Sequence, residues 1–347
     1  MKATLLAGLG LAALIAASPA HATGEKPMFA VQPLPRQMST RAMTASIPLW
    51  TFSWTNGSKS GNEVFVGSDP TSTSGVTVPI YIIPVKLTWS GHVEDPENTS
   101  ANGGTVVSNT VASPIFQSSV DYVQGGTDLG TTQYEDAFQR ASLWYAVANN
   151  PNYHVMLGTP TIEPEVAWTV PKYKGTYSKQ FGGYVVTAYI NWFDTQVQKY
   201  LGSGKVPANA LPIFVTSNTY LTQSAKSGCC IGGYHSYNGT YTYSHFTYIT
   251  TAGAFSQDVS ALSHELGEWL QDPLTNNPAC SSGQVWEVGD PLEGDANYGD
   301  YNYPVGGFTY HLQDLVLPPY FGTSTSVAVN GWSTFQGHTI SVCQNGG

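Results

Sequence analysis

The chain has 347 residues, 41% of them hydrophobic, and a formal net charge of −10 from 13 basic and 23 acidic side chains. That is enough apolar material for a core, which argues against disorder. An acidic chain repels phosphate backbones, which argues against nucleic-acid binding and polybasic membrane attachment. Charged residues make up only 10% of the chain, against about 25% in an average soluble domain. A surface with so few ion pairs has little to lose when carboxylates protonate, so tolerance of acid is expected.

Taken in chain order, the first element is an export signal. Lys2 gives the positive start, residues 5–17 the apolar stretch, and Ala20-His21-Ala22 the small-x-small site, with cleavage expected after Ala22. The mature chain is expected to be secreted or periplasmic. No later run is long enough for a membrane span, so no membrane partner is expected after signal removal. Residues 23–45 are rich in Pro, Gln, Thr and Arg and read as an N-terminal arm or short pro-segment. Residues 46–347 read as one large domain, or as two lobes around a cleft near 255–300.

Strand signals lie at 47–54, 64–66 and 78–89. The last contains Pro84, which has no N–H for a ladder, so an edge or bulged strand is expected. Residues 91–108 read as a loop. Residues 133–147 have helical spacing, with Phe138, Ala141, Leu143, Trp144 and Val147 on one stripe. Strands follow near 155–157 and 165–169. A helix follows at 189–201, with Ile190, Phe193, Val197 and Leu201 on one side. Residues 210–219 and 239–250 read as strands. Four cysteines, Cys229, Cys230, Cys280 and Cys343, fit an oxidising compartment. A vicinal bridge would be strained, so Cys229 and Cys230 are each expected to reach Cys280 or Cys343. The alternative, a metal site of both adjacent cysteines with His235 and His245, fits tetrahedral geometry badly.

Residues 255–273 form the most informative stretch. Ser256 or Asp258 can cap a helix, Val259, Leu262, Leu266 and Trp269 share a face, and Asp272-Pro273 ends it. Trp269 reads as core. His264 and Glu268 are four apart and point the same way, with Glu265 beside them. The spelling is His-Glu-x-x-Glu, the zinc-hydrolase helix with its second histidine replaced by a carboxylate. Both groups can bind Zn²⁺, and Glu265 can take a proton from the attacking water. A charged ligand weakens the metal's Lewis acidity, which a partly buried site tolerates best. Glu287, 19 residues after Glu268, or else Asp290, is the expected third ligand, and the other would then orient His264. Either His235 or His245 can line the cleft. His311 is a candidate ligand or oxyanion donor, with Tyr310 a weaker one. Asp290, Glu293, Asp295, Asn297 and Asp300 are oxygen-rich enough to suit Ca²⁺. Beyond 273 the chain reads as loop until 326–329.

Ser263, His264, Glu265, Glu268, Asp272 and Pro273, followed by Trp286, Glu287, Gly289 and Asp290, resemble a family of secreted bacterial zincin-like metallopeptidases. They resemble the plant phosphate-induced EXORDIUM-like proteins more distantly. The segment 228–239 is similar to the Cys-rich Gly-Tyr-His stretch that precedes the helix in such proteins. The resemblance covers roughly residues 210–300. It implies a zincin-like α/β (α+β) fold, a twisted mixed sheet with an antiparallel edge strand packed on the His264 helix, below a loop-rich C-terminal region. It also implies Zn²⁺, a polypeptide substrate and metal-activated water. In thermolysin-like peptidases a glutamate at about the separation of Glu287 is the third ligand, with an aspartate nearby in the orienting part.

Two other functions compete. A carboxylate-only hydrolase, of glutamic-peptidase or glycosidase type, would use Glu265 and Glu287. A carbohydrate- or wall-binding module would use the 9 Trp and 21 Tyr as stacking platforms. A monomer is expected. No Gly-x-Ser-x-Gly elbow supports a serine hydrolase.

Overall fold

Residues Leu211–Ser217 are buried at every position, as a strand must be when both faces of its sheet are covered. The computed structural model describes residues 28–32, 45–56, 59–71, 75–124, 127–180, 183–224, 229–277, 287–292, 299–317 and 334–337. Eleven strands form one mixed sheet: β1 (Met28–Gln32), β2 (Ile80–Trp89), β3 (His92–Glu94), β4 (Thr161–Ile162), β5 (Val166–Thr169), β6 (Gly175–Gln180), β7 (Gly183–Tyr189), β8 (Leu211–Ser217), β9 (Thr219–Thr222), β10 (Cys229–Tyr237) and β11 (Thr242–Tyr248). Their order is β4-β2-β8-β11-β10-β9-β7-β6, with β1 also on β10 and both β3 and β5 also on β2. Strands β4, β2, β8 and β11 run parallel. Strand β10 turns back antiparallel to β11.

Side chains that alternate along these strands feed two cores. Ile82, Ile213, Val215 and Phe246 pack on one face with α1 (Tyr134–Ser142) and α3 (Ser260–Gln271). Ile83, Phe214, Tyr234 and Tyr243 pack on the other with Ile190, Phe193, Val197 and Leu201 of α2 (Ile190–Leu201). The fold is thus mixed α/β, with α3, the last α-helix among the described residues, lying on a large sheet. Helix α3 packs against β10 and β11, which lie inside the strand order, so the expected edge strand is not its platform.

Several expectations need correction. Strand β2 is central, with partners on both sides. Its left-hand neighbour changes from β4, paired through Ile82, to β5, paired from Val85. Pro84 falls in that gap, where its missing N–H is not needed. The predicted helix at 133–147 breaks at Leu143, and Trp144–Val147 forms a separate turn. The expected loop at 91–108 contains β3 and the start of a helix, Val106–Val111, opened by a Thr105 and Ser108 capping box. Within the expected arm, Met28–Gln32 is a strand of the sheet. The stretch read as loop contains the hairpin of β12 (Asp300–Val305) and β13 (Phe308–Gln313). Its turn is Gly306-Gly307, both at positive φ (60° and 85°), as a two-residue hairpin loop requires.

The expected disulfide framework is also corrected. Among the described residues no Sγ–Sγ pair lies at bonding distance. Cys280, Cys343 and the Cys229 side chain lie outside the described residues, and Cys230 is not a free thiol. The export signal and the periodic run at 326–329 lie outside the described residues as well. Among the described residues no helix is long and apolar enough to cross a membrane.

Candidate metal centre

Helix α3 is buried at all twelve positions. Leu262, Leu266, Trp269 and Leu270 are fully enclosed, each worth about 1.5–3 kcal/mol relative to exposure. The positions between the chemical residues have packing reasons of their own. The Ser263 hydroxyl accepts from the Gln313 N–H of β13 at 2.9 Å. Gly267 leaves the space that Leu315 fills, since a Cβ there would meet Leu315 Cδ1 at 2.4 Å. The Asp272 carboxylate accepts from the N–H groups of Asn276 and Asn277, each at 2.9 Å, closing the helix end. No side chain caps the start. Asp258 instead accepts from the His311 N–H at 3.0 Å and lies 2.6 Å from His311 Nδ1.

The second wall is β10. Its pairing with β1 slips between Ile231 and Tyr234, a bulge that puts both of those side chains in the α2-side core and aims Gly233 and His235 at α3. A Cβ on Gly233 would meet Glu265 Cγ at 2.9 Å, so the glycine lets Glu265 lie against the strand. His235 Nδ1 stands 3.1 Å from Glu265 Oε2 and 3.5 Å from Glu268 Oε2. His264 Nε2 stands 3.0 Å from Glu268 Oε1 and 3.5 Å from Asp290 Oδ1. Two compact donor sets result, His235–Glu268–Glu287 and His264–Glu265–Glu268, each with its ligand atoms within 4.8 Å of one another. Glu268 belongs to both.

These residues fit a metal. Ligand bonds of about 2.0–2.1 Å in a tetrahedral site imply ligand-to-ligand edges of about 3.3 Å, and the four separations above span 3.0–3.5 Å. The Glu287 carboxylate is buried and no hydrogen-bond donor meets either of its oxygens among the described residues. It faces the Glu268 carboxylate instead, and two acceptors turned on each other need a proton or a cation between them. Burial first, and Glu268 second, hold Glu287 well above the usual carboxylate range. Burial pushes His235 down to about 3, which keeps its imidazole in the neutral, ligating form.

The predicted ligands are therefore brought together, with one addition and one change of part. His235 joins the donors, and Glu287 closes with it. Asp290 approaches His264 at Nε2, the same nitrogen that Glu268 faces, so it stands on the ligand side and does not orient the opposite nitrogen. The far side of His264 is packed by Gly289, where a Cβ would meet Nδ1 at 2.1 Å. The peptide of Gly289 also donates to Glu268 Oε1 at 3.4 Å. Gly289→Ala is expected to push the His264 ring off its position. Overpacking of this kind costs about 1–3 kcal/mol, and misaligned support lowers metal affinity about 10–100-fold. Metal titration beside thermal melting checks this, and unchanged affinity would show that His264 does not bind.

The remaining candidates lie elsewhere. His245 faces the α2-side core, 4.4 Å from the Phe193 ring, and bonds Thr216 Oγ1 at 3.1 Å. Tyr310 is buried and donates to the Asn109 carbonyl at 3.2 Å. His311 is in neither donor set. With Asp300, Asn302, Thr309 and Gln257 it lines a cleft of about 410 Å³. Asp300 accepts from Ser260 Oγ at 2.6 Å, one turn before His264 and about 6 Å away along the helix. Of the oxygen-rich loop, Glu293, Asp295 and Asn297 lie outside the described residues. Asp290 and Asp300 have the contacts just given, which single out neither Ca²⁺ nor Zn²⁺. Comparison with family models, with characterised proteins and with solved structures finds no match to this chain.

Proposed function

We propose that this chain is an exported metal-dependent hydrolase, in the first instance a zinc endopeptidase acting on polypeptides. The observation that supports this best is the convergence of His235, Glu268 and Glu287 within 4.8 Å, with Glu265 alongside. Glu265 and Glu268 come from one buried helix, and His235 faces it. A divalent ion held there supplies Lewis acidity to a carbonyl and acidifies water. The chain's own part is proton handling. Glu265, held 3.1 Å from His235 Nδ1, accepts the proton of the attacking water and returns it to the leaving amine. Asp290, with a side chain 19% exposed, lies on the side open to solvent.

Glu265→Gln is expected to keep the metal content of the parent and lower peptide hydrolysis about 10²–10⁴-fold. The readout is turnover of a mixed fluorogenic peptide library beside metal analysis. Undiminished turnover in this variant would overturn the assignment. A second reading rests on the Glu268–Glu287 contact, in which the two carboxyls share one proton as an acid–base pair. Chelation separates the two: activity lost and restored by Zn²⁺ supports the metal hydrolase, whereas indifference supports the carboxyl pair.

A further inference from the structure

The two oxygens of Glu268 are turned to different histidines. Oε1 lies 3.0 Å from His264 Nε2, and Oε2 lies 3.5 Å from His235 Nδ1. Each histidine has further carboxylates of its own. Glu287 completes the His235 set, and Asp290 stands 3.5 Å from His264 Nε2. Glu265 reaches both sides. From this arrangement we propose that the centre holds two divalent cations bridged by the Glu268 carboxylate, one on His235 and Glu287, the other on His264 and Asp290. The proposal rests on the metal reading above.

Charge balance argues for the pair. Glu265, Glu268, Glu287 and Asp290 bring four negative charges to a site whose first three members are 0–4% exposed. One dication on Glu268 and Glu287 leaves Glu265 uncompensated in a low-dielectric interior, and Asp290 uncompensated at its more exposed side. Two dications balance the site. A carboxylate bridge suits two metals about 3.5–4 Å apart, and such pairs occur in hydrolases, aminopeptidases among them. With Asp290 as a donor on the His264 side, Glu265 keeps its role as proton acceptor between the two positions.

The test counts metals on the full chain. Purified protein is stripped, titrated with Co²⁺ and with Zn²⁺, desalted and analysed for metal per folded chain. Two equivalents are expected for the parent. His235→Ala and His264→Ala are each expected to retain one, and Glu268→Gln none, because both positions lose the carboxylate they hold in common. Saturation at one equivalent overturns the two-metal centre and leaves the single-metal hydrolase standing. No uptake overturns both. Two equivalents unaffected by Glu268→Gln would overturn the bridge. The parent's count needs no variant, so a substitution that fails to fold does not remove the test. Manganese loading gives an independent readout, since a bridged pair shows a spin-coupled resonance spectrum that an isolated Mn²⁺ does not.

Discussion

Removing the metal from the purified chain is expected to lower its melting temperature by about 6 °C, and Glu268→Gln is expected to abolish that difference. The magnitude follows from linkage. An ion present at a thousand times its dissociation constant stabilises the folded state by about 4.1 kcal/mol. The unfolding entropy of a chain of 347 residues, at about 2.1 cal/mol/K per residue, is about 0.7 kcal/mol/K. The quotient is about 6 °C for one ion and about twice that for two. The variant separates binding from packing. Gln is isosteric with Glu, so the packing of α3 against β10 is kept. It also removes one of the carboxylates that repel Glu287 when no cation is present. Metal-free Glu268→Gln should therefore melt no lower than the metal-free parent, while gaining nothing from added Zn²⁺. Thermal melts of both proteins with Zn²⁺ and with chelator decide the matter. A parent whose melting is indifferent to Zn²⁺ would remove the metal centre. A variant that still gains would show that Glu268 is not a ligand.

How much of this centre could be read from the sequence depends on the range of the interactions. Helix α3 and the shared face of His264 and Glu268 are local, fixed by a 3.6-residue period, and legible. Strand β8 and helix α2 are legible for the same reason. The part of His235 was not, because it is set by a bulge in the β1–β10 pairing, which periodicity does not encode. Had β10 run without the slip, alternation would have placed Gly233 and His235 on the Ile231 face. Asp258 misled for a related reason. Its type and position suit an N-cap, but its backbone sits at φ 42° and its carboxylate is bonded to His311, 53 residues on. The hairpin of β12 and β13 was missed although a signal existed: Gly306-Gly307 between two alternating aromatic runs. The closeness of Asp290 to His264 Nε2 depends on Gly289 packing flat on the ring, a contact no spacing rule contains.

The pH dependence of folding is expected to reverse sign when metal binds. In the metal-free chain Glu287 is held well above its ordinary value of 4.5 by burial and then by Glu268. Burial raises Glu135, Asp272 and Asp300 as well. Each of these groups keeps a proton in the folded state at pH values where the unfolded chain has released it. Their contribution is complete below about pH 4 and is lost as pH rises through the raised folded values. His235 and His245 act in the opposite sense. Burial holds both down to about 3 from 6.5, so their contribution is complete above 6.5 and is lost as pH falls toward 3. The metal-free chain should thus be most stable in weak acid, between these limits, and should weaken toward neutral and alkaline pH. Bound metal demands deprotonated carboxylates, so binding releases protons and strengthens as pH rises. The gain from Zn²⁺ should be absent near pH 4 and grow steadily toward pH 7.5. Melts at half-unit steps from pH 4 to 7.5, with Zn²⁺ and with chelator, test this. A gain that is flat or grows toward acid would mean the buried carboxylates are not what the ion displaces protons from. The acid limb has a separate origin. The low content of charged residues predicts little loss there from broken ion pairs, so a fall between pH 6.5 and about 4 belongs to the two buried imidazoles. Only below that does Asp95 add to it, its carboxyl pushed up by burial but held down to about 2 by Lys86 and Asn98.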